Sequence, residues 1–254
     1  MNIKMITALL ACFIISGCSN LPEQFSGDKI DAGSQEKPGL KKEINKVPAP
    51  VKKAIQKEKV PASKMLDVPL FNQMDAPRLY NGCEVTSLAM LMNFRGIHVS
   101  KNDLAGAIKR VPLTFDNGQK GNPNAGFVGN MEDGPGLGVY HGPITDLARK
   151  YAGNKVKDLT GKPFEELLKE VGSGSPVWII TTANFAPVSD FIEWNTPQGV
   201  IQVTYKEHSV VITGYDQQNI YVNDPYGHKN RKLPKESFIK AWEQMGKQGV
   251  TITG

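Results

Sequence analysis

The sequence predicts an α+β fold in which helices come first along the chain and strands follow. Two observations predict it. Between residues 83 and 171 apolar side chains recur at helical spacing behind capping and proline signals. From residue 176 onward, short runs rich in β-branched and aromatic residues take their place. A third observation bounds the size: once the N-terminal segments are set aside, about 190 of the 254 residues remain, enough for one domain with a sizeable core.

The elements follow in order. In CEVTSLAMLMNF, residues 83–94, Val85, Leu88, Ala89 and Met92 fall on one helix face, and Gly96 follows as a stop. Ser100 and Asp103 have capping-box spacing ahead of LAGAIKRV. Pro143 leads ITDLARKY and Pro163 leads FEELLKEV, each suited to a first helical turn. PVWIITT, GVIQVTY, HSVVITGY and NIYVND read as strands. A helix, KESFIKAWEQM, and a strand, GVTIT, close the chain. Helices laid on an antiparallel sheet satisfy this order.

The chain begins MNIKMITALLACFIISGC: Lys4, a dozen or so apolar residues, then small residues and Cys18. The run is short of the about 20 apolar residues a membrane span needs. Ile15-Ser16-Gly17-Cys18 resembles the lipobox of bacterial lipoproteins, which implies a signal peptide over residues 1–17 and lipidation of Cys18. Residues 18–65 then read as a lipidated N-terminus and disordered linker, rich in Pro, Lys and Glu and poor in large apolar residues. Residues 19–65 carry a net charge of +4 out of the chain's +5. The part expected to fold, residues 66–254, is therefore near neutral, which removes the support for a nucleic-acid partner. The basic tether suits an anionic envelope.

Of the three cysteines, Cys12 leaves with the signal peptide and Cys18 would be acylated. Cys83 is then the one thiol left, and no internal disulfide is available to it. Asn81-Gly82 signals a turn, so Cys83 falls at a helix start, where the unpaired N–H groups and the helix dipole favour a thiolate. Glu84 opposes this unless its carboxylate points elsewhere, which is the expectation. A buried structural cysteine is the alternative.

A nucleophilic thiolate needs a base, and the base needs an orienter. Among the four histidines, His98 follows Gly96 in a turn leading to the next helix, His228 lies in a polar turn and His141 in a Gly-rich loop. His208 opens an apolar strand. Asp224 ends the next strand, and a hairpin turning about Asp216 would make the two direct cross-strand neighbours; a register shifted by one would separate them. Gln73, in VPLFNQ, is the side-chain candidate for an oxyanion donor, alongside the backbone N–H of Cys83. Residues 111–142 read as a long Gly-rich insertion, disordered or bordering the cleft. No GK[ST] loop, HExxH or CxxC occurs, so neither a metal nor a nucleotide cofactor is expected.

DVPLFNQ, NGCEVTSLAMLMNFRG, GFVGN, GLGVYHGPITDLA, SPVWIITT, EHSVVITGYD, IYVNDPYG and SFIKAWEQMGKQGVTI together resemble the peptidase C-39-like family, in the papain-like superfamily. The resemblance covers about residues 66–254. It implies a papain-like cysteine peptidase fold, with Cys83 as nucleophile, His208 as general base and acid, Asp224 as its orienter and Gln73 as an oxyanion donor. The sequence departs from the transporter-linked members in two ways: Gln73 lies further upstream of the cysteine, and Glu84 replaces their usual Gly. The expected function is a lipid-anchored cysteine peptidase on the extracytoplasmic face, acting on a peptide or protein through a thioester. The alternatives are a transpeptidase-type transferase on the same site, or a silent module that binds peptides or envelope components.

Overall fold

The computed structural model describes residues 60–254. The expected signal peptide, Cys18 and most of the linker lie outside the described residues. Along the chain the elements are β1 (Lys64–Met65), α1 (Cys83–Phe94), α2 (Lys101–Ala107), β2 (Arg110–Val111), β3 (Phe127–Val128), α3 (His141–Ala152), β4 (Val156–Asp158), α4 (Phe164–Gly172), β5 (Val177–Thr182), β6 (Ile192–Thr196), β7 (Gly199–Val203), β8 (Glu207–Tyr215), β9 (Asn219–Asp224), β10 (His228–Pro234), α5 (Lys235–Gln244) and β11 (Gly249–Ile252). Among the described residues no helix is long and apolar enough to cross a membrane.

An antiparallel sheet in the order β10-β9-β8-β5-β11-β4 forms the centre, and β1 pairs with the far end of β8. β5 shows why the sheet is buried on both faces. Its residues alternate, so Trp178 and Ile180 join the core beneath α1, α2 and α3, while Val177 and Ile179 join the core beneath α4 and α5. The packed chain starts earlier than residue 66. The Tyr215 hydroxyl donates to the carbonyl of Pro61 at 2.9 Å, and Lys64 and Met65 lie in register with Tyr215 and Gly214.

α1 differs from the one-faced helix that its spacing predicts. Every residue from Cys83 to Met92 is buried. A helix apolar nearly all round belongs inside a core, and α1 lies between the sheet and the other helices, with Met90 in one core cluster and Leu88, Leu91 and Met92 in the other. The capping box at Ser100 and Asp103 forms as expected. GVIQVTY is a strand, β7, but it pairs with β6 in a separate hairpin. Trp194 and Val203 of that hairpin close a small cluster with Val128 and Leu137. The 111–142 segment is thereby ordered, and Phe127, Val128 and Met131 are wholly buried within it.

Candidate active site

The turn before α1 is pinned from several sides. Gln73 donates from Nε2 to the carbonyls of Leu79 and Tyr80, at 3.2 and 2.9 Å. Asn81 donates from its backbone to Met131 and from its side chain to the carbonyl of Asn130, both at 2.9 Å. Gly82 is the N-cap, and the Leu79 side chain fills the place a Cβ would take. Cys83 thus enters the helix in one position, buried, with a first-turn N–H that has no intrahelical partner.

β8 meets this turn where its pairing with β9 stops. The last β8–β9 register pair is Val211 with Asn223. Two residues before Val211, Ser209 turns the same backbone edge to α1. Its carbonyl accepts from Ser87 Oγ at 3.1 Å, and its N–H lies on the side of the Cys83 sulfur, where it favours the thiolate. Cys83 and Ser87 are one turn apart, on the same helix face. The strand edge therefore docks the helix start beside His208.

His208 is buried, and its Nε2 lies 3.0 Å from Asp224 Oδ1. The predicted direct pairing is corrected by the register. The turn centres on Gln217-Gln218, with Tyr215 opposite Ile220 and Gly214 opposite Tyr221, and the register then shifts so that Ile212 faces Val222. Continued past Val211–Asn223, that register sets Asp224 opposite Val210, diagonal to His208 on the same face. Asp224 Oδ1 also accepts the Tyr226 N–H at 3.1 Å, and Oδ2 pairs with Arg231 at 2.9 Å. Burial raises this carboxyl, but the hydrogen bond and charge of His208, the Tyr226 amide and Arg231 outweigh it and hold it below the usual range. Tyr226 stacks on the imidazole at 5.2 Å and 21°, Phe185 meets it edge-on at 6.0 Å, and Arg231 lies 4.8 Å over Phe185.

Two expectations are overturned at the sulfur. Glu84 does not point away: its Oε2 lies 3.4 Å from Cys83 Sγ. Nor does the surrounding field lower the thiol. Burial raises it well above its ordinary value, the charges of Glu84 and Glu207 add to that, and the Ser209 amide opposes them. The helix start is present, but two buried acids stand closer than sequence spacing reveals. Cys83, Glu84 and Glu207 offer side-chain atoms all within 4.8 Å of one another.

Gln73 is buried near the Cys83 turn, and its backbone N–H bonds to Pro225 beside Asp224. Both Nε2 hydrogens are engaged by Leu79 and Tyr80, and Oε1 is the atom without a partner. Flipping the amide would set its oxygen against two carbonyls, so this orientation is the favoured one. The nitrogen expected for an oxyanion is thus occupied. His98 and His228 are exposed. His141 opens α3 and pairs with Asp158 at 2.8 Å, in a cavity of about 270 Å³ that Cys83 does not line.

Sequence reasoning missed Glu207, Tyr226, Phe185 and Arg231. The first two had a signal, since each is within two residues of His208 or Asp224. Phe185 and Arg231 had none, because their approach depends on loop and strand geometry.

The sequence pattern of the Peptidase_C39 like family matches residues 65–250, and the chain belongs to that family. It is 52% identical over 252 residues to the uncharacterized protein YvpB of Bacillus subtilis (strain 168), covering 98% of this chain and 99% of the relative. The crystal structure of a candidate C39-like peptidase from Bacillus anthracis superposes with a TM-score of 0.73 at 48% identity, over 76% of this chain and 98% of that one. The fold is α+β, of the papain-like cysteine peptidase kind.

Proposed function

We propose that this protein is a cysteine peptidase that forms a thioester at Cys83, with His208 as base and acid and Asp224 as its orienter. The observation that carries the reading is the joint placement of three groups. Ser209 docks the Cys83 turn of α1 through Ser87, its neighbour His208 is fixed by Asp224, and Tyr226 and Phe185 confine the ring. Since Nε2 faces Asp224, Nδ1 is the ring nitrogen left to exchange a proton with sulfur.

In the reaction the thiol proton passes to His208 and sulfur attacks the peptide carbonyl. The departing amine takes the proton from the imidazolium, which leaves an acyl group on sulfur. Water then gives its proton to His208 and its hydroxyl to the carbonyl carbon, and the thiol returns. The Cys83 N–H is the donor open to the oxyanion. Gln73 would serve there only by releasing Leu79 or Tyr80.

The substrate is a peptide or protein, and the reading includes a lipid anchor at Cys18 that holds the domain at the extracytoplasmic face. A diverse peptide library digested with wild type and with Cys83→Ala, followed by mass spectrometry, tests the chemistry. Cleavage products and an acyl adduct of wild type alone are expected. Equal products from Cys83→Ala would refute the assignment, and amine-capped products in place of acids would make the protein a transferase.

A further inference from the structure

Glu84 and Glu207 are buried acids that the peptidase chemistry leaves unused. Their carboxylate oxygens lie within 4.8 Å of each other, and neither pairs with a lysine or arginine among the described residues. Glu84 Oε1 accepts the Val139 N–H at 2.7 Å, and its Oε2 faces the Cys83 sulfur. Glu207 Oε1 is buried without a partner. Gly138 lies against both carboxyls so closely that a Cβ would collide with Glu84 Oε1 and Glu207 Oε2. Gly138 thus leaves room for the two carboxyls side by side, and two neighbouring carboxylates buried in the protein do not both ionise.

Every packed element contributes to the surroundings. α1 brings Cys83, β8 brings His208, the segment before α3 brings Tyr140, and the turn after β9 brings Tyr226, with Asp224 behind the imidazole and Tyr80 near Tyr226. Burial pushes Glu84 up to about 7, and burial with the charge of Glu84 pushes Glu207 well above the carboxylate range.

We propose that Glu84 and Glu207 share one proton and that this pair, placed against the sulfur, governs when Cys83 ionises. The proposal rests on Cys83 being the nucleophile. With one proton on the pair, the Glu84 carboxylate accepts the Cys83 S–H and keeps the sulfur a thiol. When the pair takes a second proton from solvent, that charge is gone, and the thiol proton passes to His208 to give thiolate and imidazolium. Acidification thus releases the nucleophile. The two acids are positioning residues, since they act through the sulfur.

The test is the rate at which iodoacetamide alkylates Cys83 in the full-length protein, followed against pH. Wild-type labelling should rise about tenfold as the pH falls through the range where the pair takes its second proton, and Glu84→Gln, which removes the acceptor of the S–H, should label near neutral pH at that raised rate. Glu207→Gln keeps the Glu84 carboxylate against the sulfur and should move the rise to lower pH. Infrared spectra of wild type should show a protonated carboxyl at neutral pH that Glu207→Gln loses as Glu84 ionises alone. Variants with wild-type circular dichroism and an unshifted profile would overturn the proposal. So would a wild-type spectrum without that carboxyl, an outcome that needs no variant to fold. A stoichiometric divalent metal in wild type, lost in both variants, would replace the proton by a cation and also overturn it. Alkylation reads the thiol and cleavage reads the reaction. A shifted profile without peptide cleavage keeps the pair and sinks the peptidase, and cleavage with an unshifted profile does the reverse.

Discussion

Asp224 sits diagonally across from His208, and Thr213 is the reason the two meet at all. The turn end of the hairpin sets Tyr215 opposite Ile220 and Gly214 opposite Tyr221. Carried on unbroken, that register would place Asp224 opposite Val211, with its side chain on the face away from His208. The extra residue at Thr213 shifts the ladder by one and returns Asp224 to the His208 face. Thr213 is held there by its own hydroxyl, which reaches Asn230 Oδ1 at 2.8 Å and the Tyr221 carbonyl at 3.2 Å.

That contact fixes the order of damage among three variants. His208→Ala removes the base and should lower kcat/KM by about a hundredfold to ten-thousandfold. Asp224→Asn loses the charge that steadies the imidazolium but keeps a hydrogen-bonding group that holds the ring, so it should retain measurable activity. Asp224→Ala frees the ring and leaves Arg231 without its partner, so it should fall between the two. Kinetics on one peptide substrate, with circular dichroism on each variant, check the order. Wild-type activity in His208→Ala would remove His208 from the mechanism.

The sequence made the elements legible and left their contacts open. The helices and main strands are readable because 3.6- and 2-residue periods and caps such as Ser100 are local signals. Cys83, His208 and Asp224 are readable because a thiol at a helix start, a histidine opening an apolar strand and an aspartate ending the next strand are each unusual where they stand. The bulge at Thr213 is not readable, since no local residue pattern demands it. Glu84 is misread for a related reason: the direction of its carboxylate depends on Val139, 55 residues away. The 111–142 segment has loop composition, but Phe127, Val128 and Met131 acquire buried partners only once the chain is folded.

Tyr226 should act as a cover on the imidazole. It is stacked on His208 yet 51% exposed, so it stands between the His208–Asp224 bond and water. Tyr226→Phe keeps the ring and should leave kcat/KM within about twofold, whereas Tyr226→Ala wets the bond and should cost about tenfold, near 1.4 kcal/mol. Equal activity in the two variants would show that the ring does not shield the site.

Cys18 carries the proposed anchor. A lipid chain contributes about 0.8 kcal/mol for each buried methylene, so a multiply acylated cysteine holds a protein on a membrane stably. Cys18→Ala should move the protein from the membrane fraction to the soluble one and abolish incorporation of a labelled fatty acid. Peptide cleavage by the released protein should be unchanged, because residues 60–254 contain the whole proposed site. Retained lipid label in the variant would rule the anchor out.

Asp216 holds the turn from which the β8–β9 register is counted. Its Oδ1 accepts the N–H groups of Gln218 and Asn219, at 2.8 and 2.7 Å, and its Oδ2 accepts the Tyr221 hydroxyl at 2.9 Å. Burial acts to raise this carboxyl, but the Gln218 amide, the Tyr221 hydroxyl and the two Asn219 groups outweigh it and bring it down to about 2. The unfolded chain binds that proton near pH 3.9. A folded value below the unfolded one contributes stability that is complete above about pH 4 and is lost as the pH falls toward about 2. Asp216→Ala should therefore lower Tm at neutral pH, since it removes the acceptor of the Gln218, Asn219 and Tyr221 bonds. Its Tm should also fall less steeply than that of wild type through this acid window. Because the same turn sets the ladder that brings Asp224 to His208, the variant should lose peptidase activity as well. Parallel Tm curves in acid would mean that the Asp216 charge does not stabilise the turn.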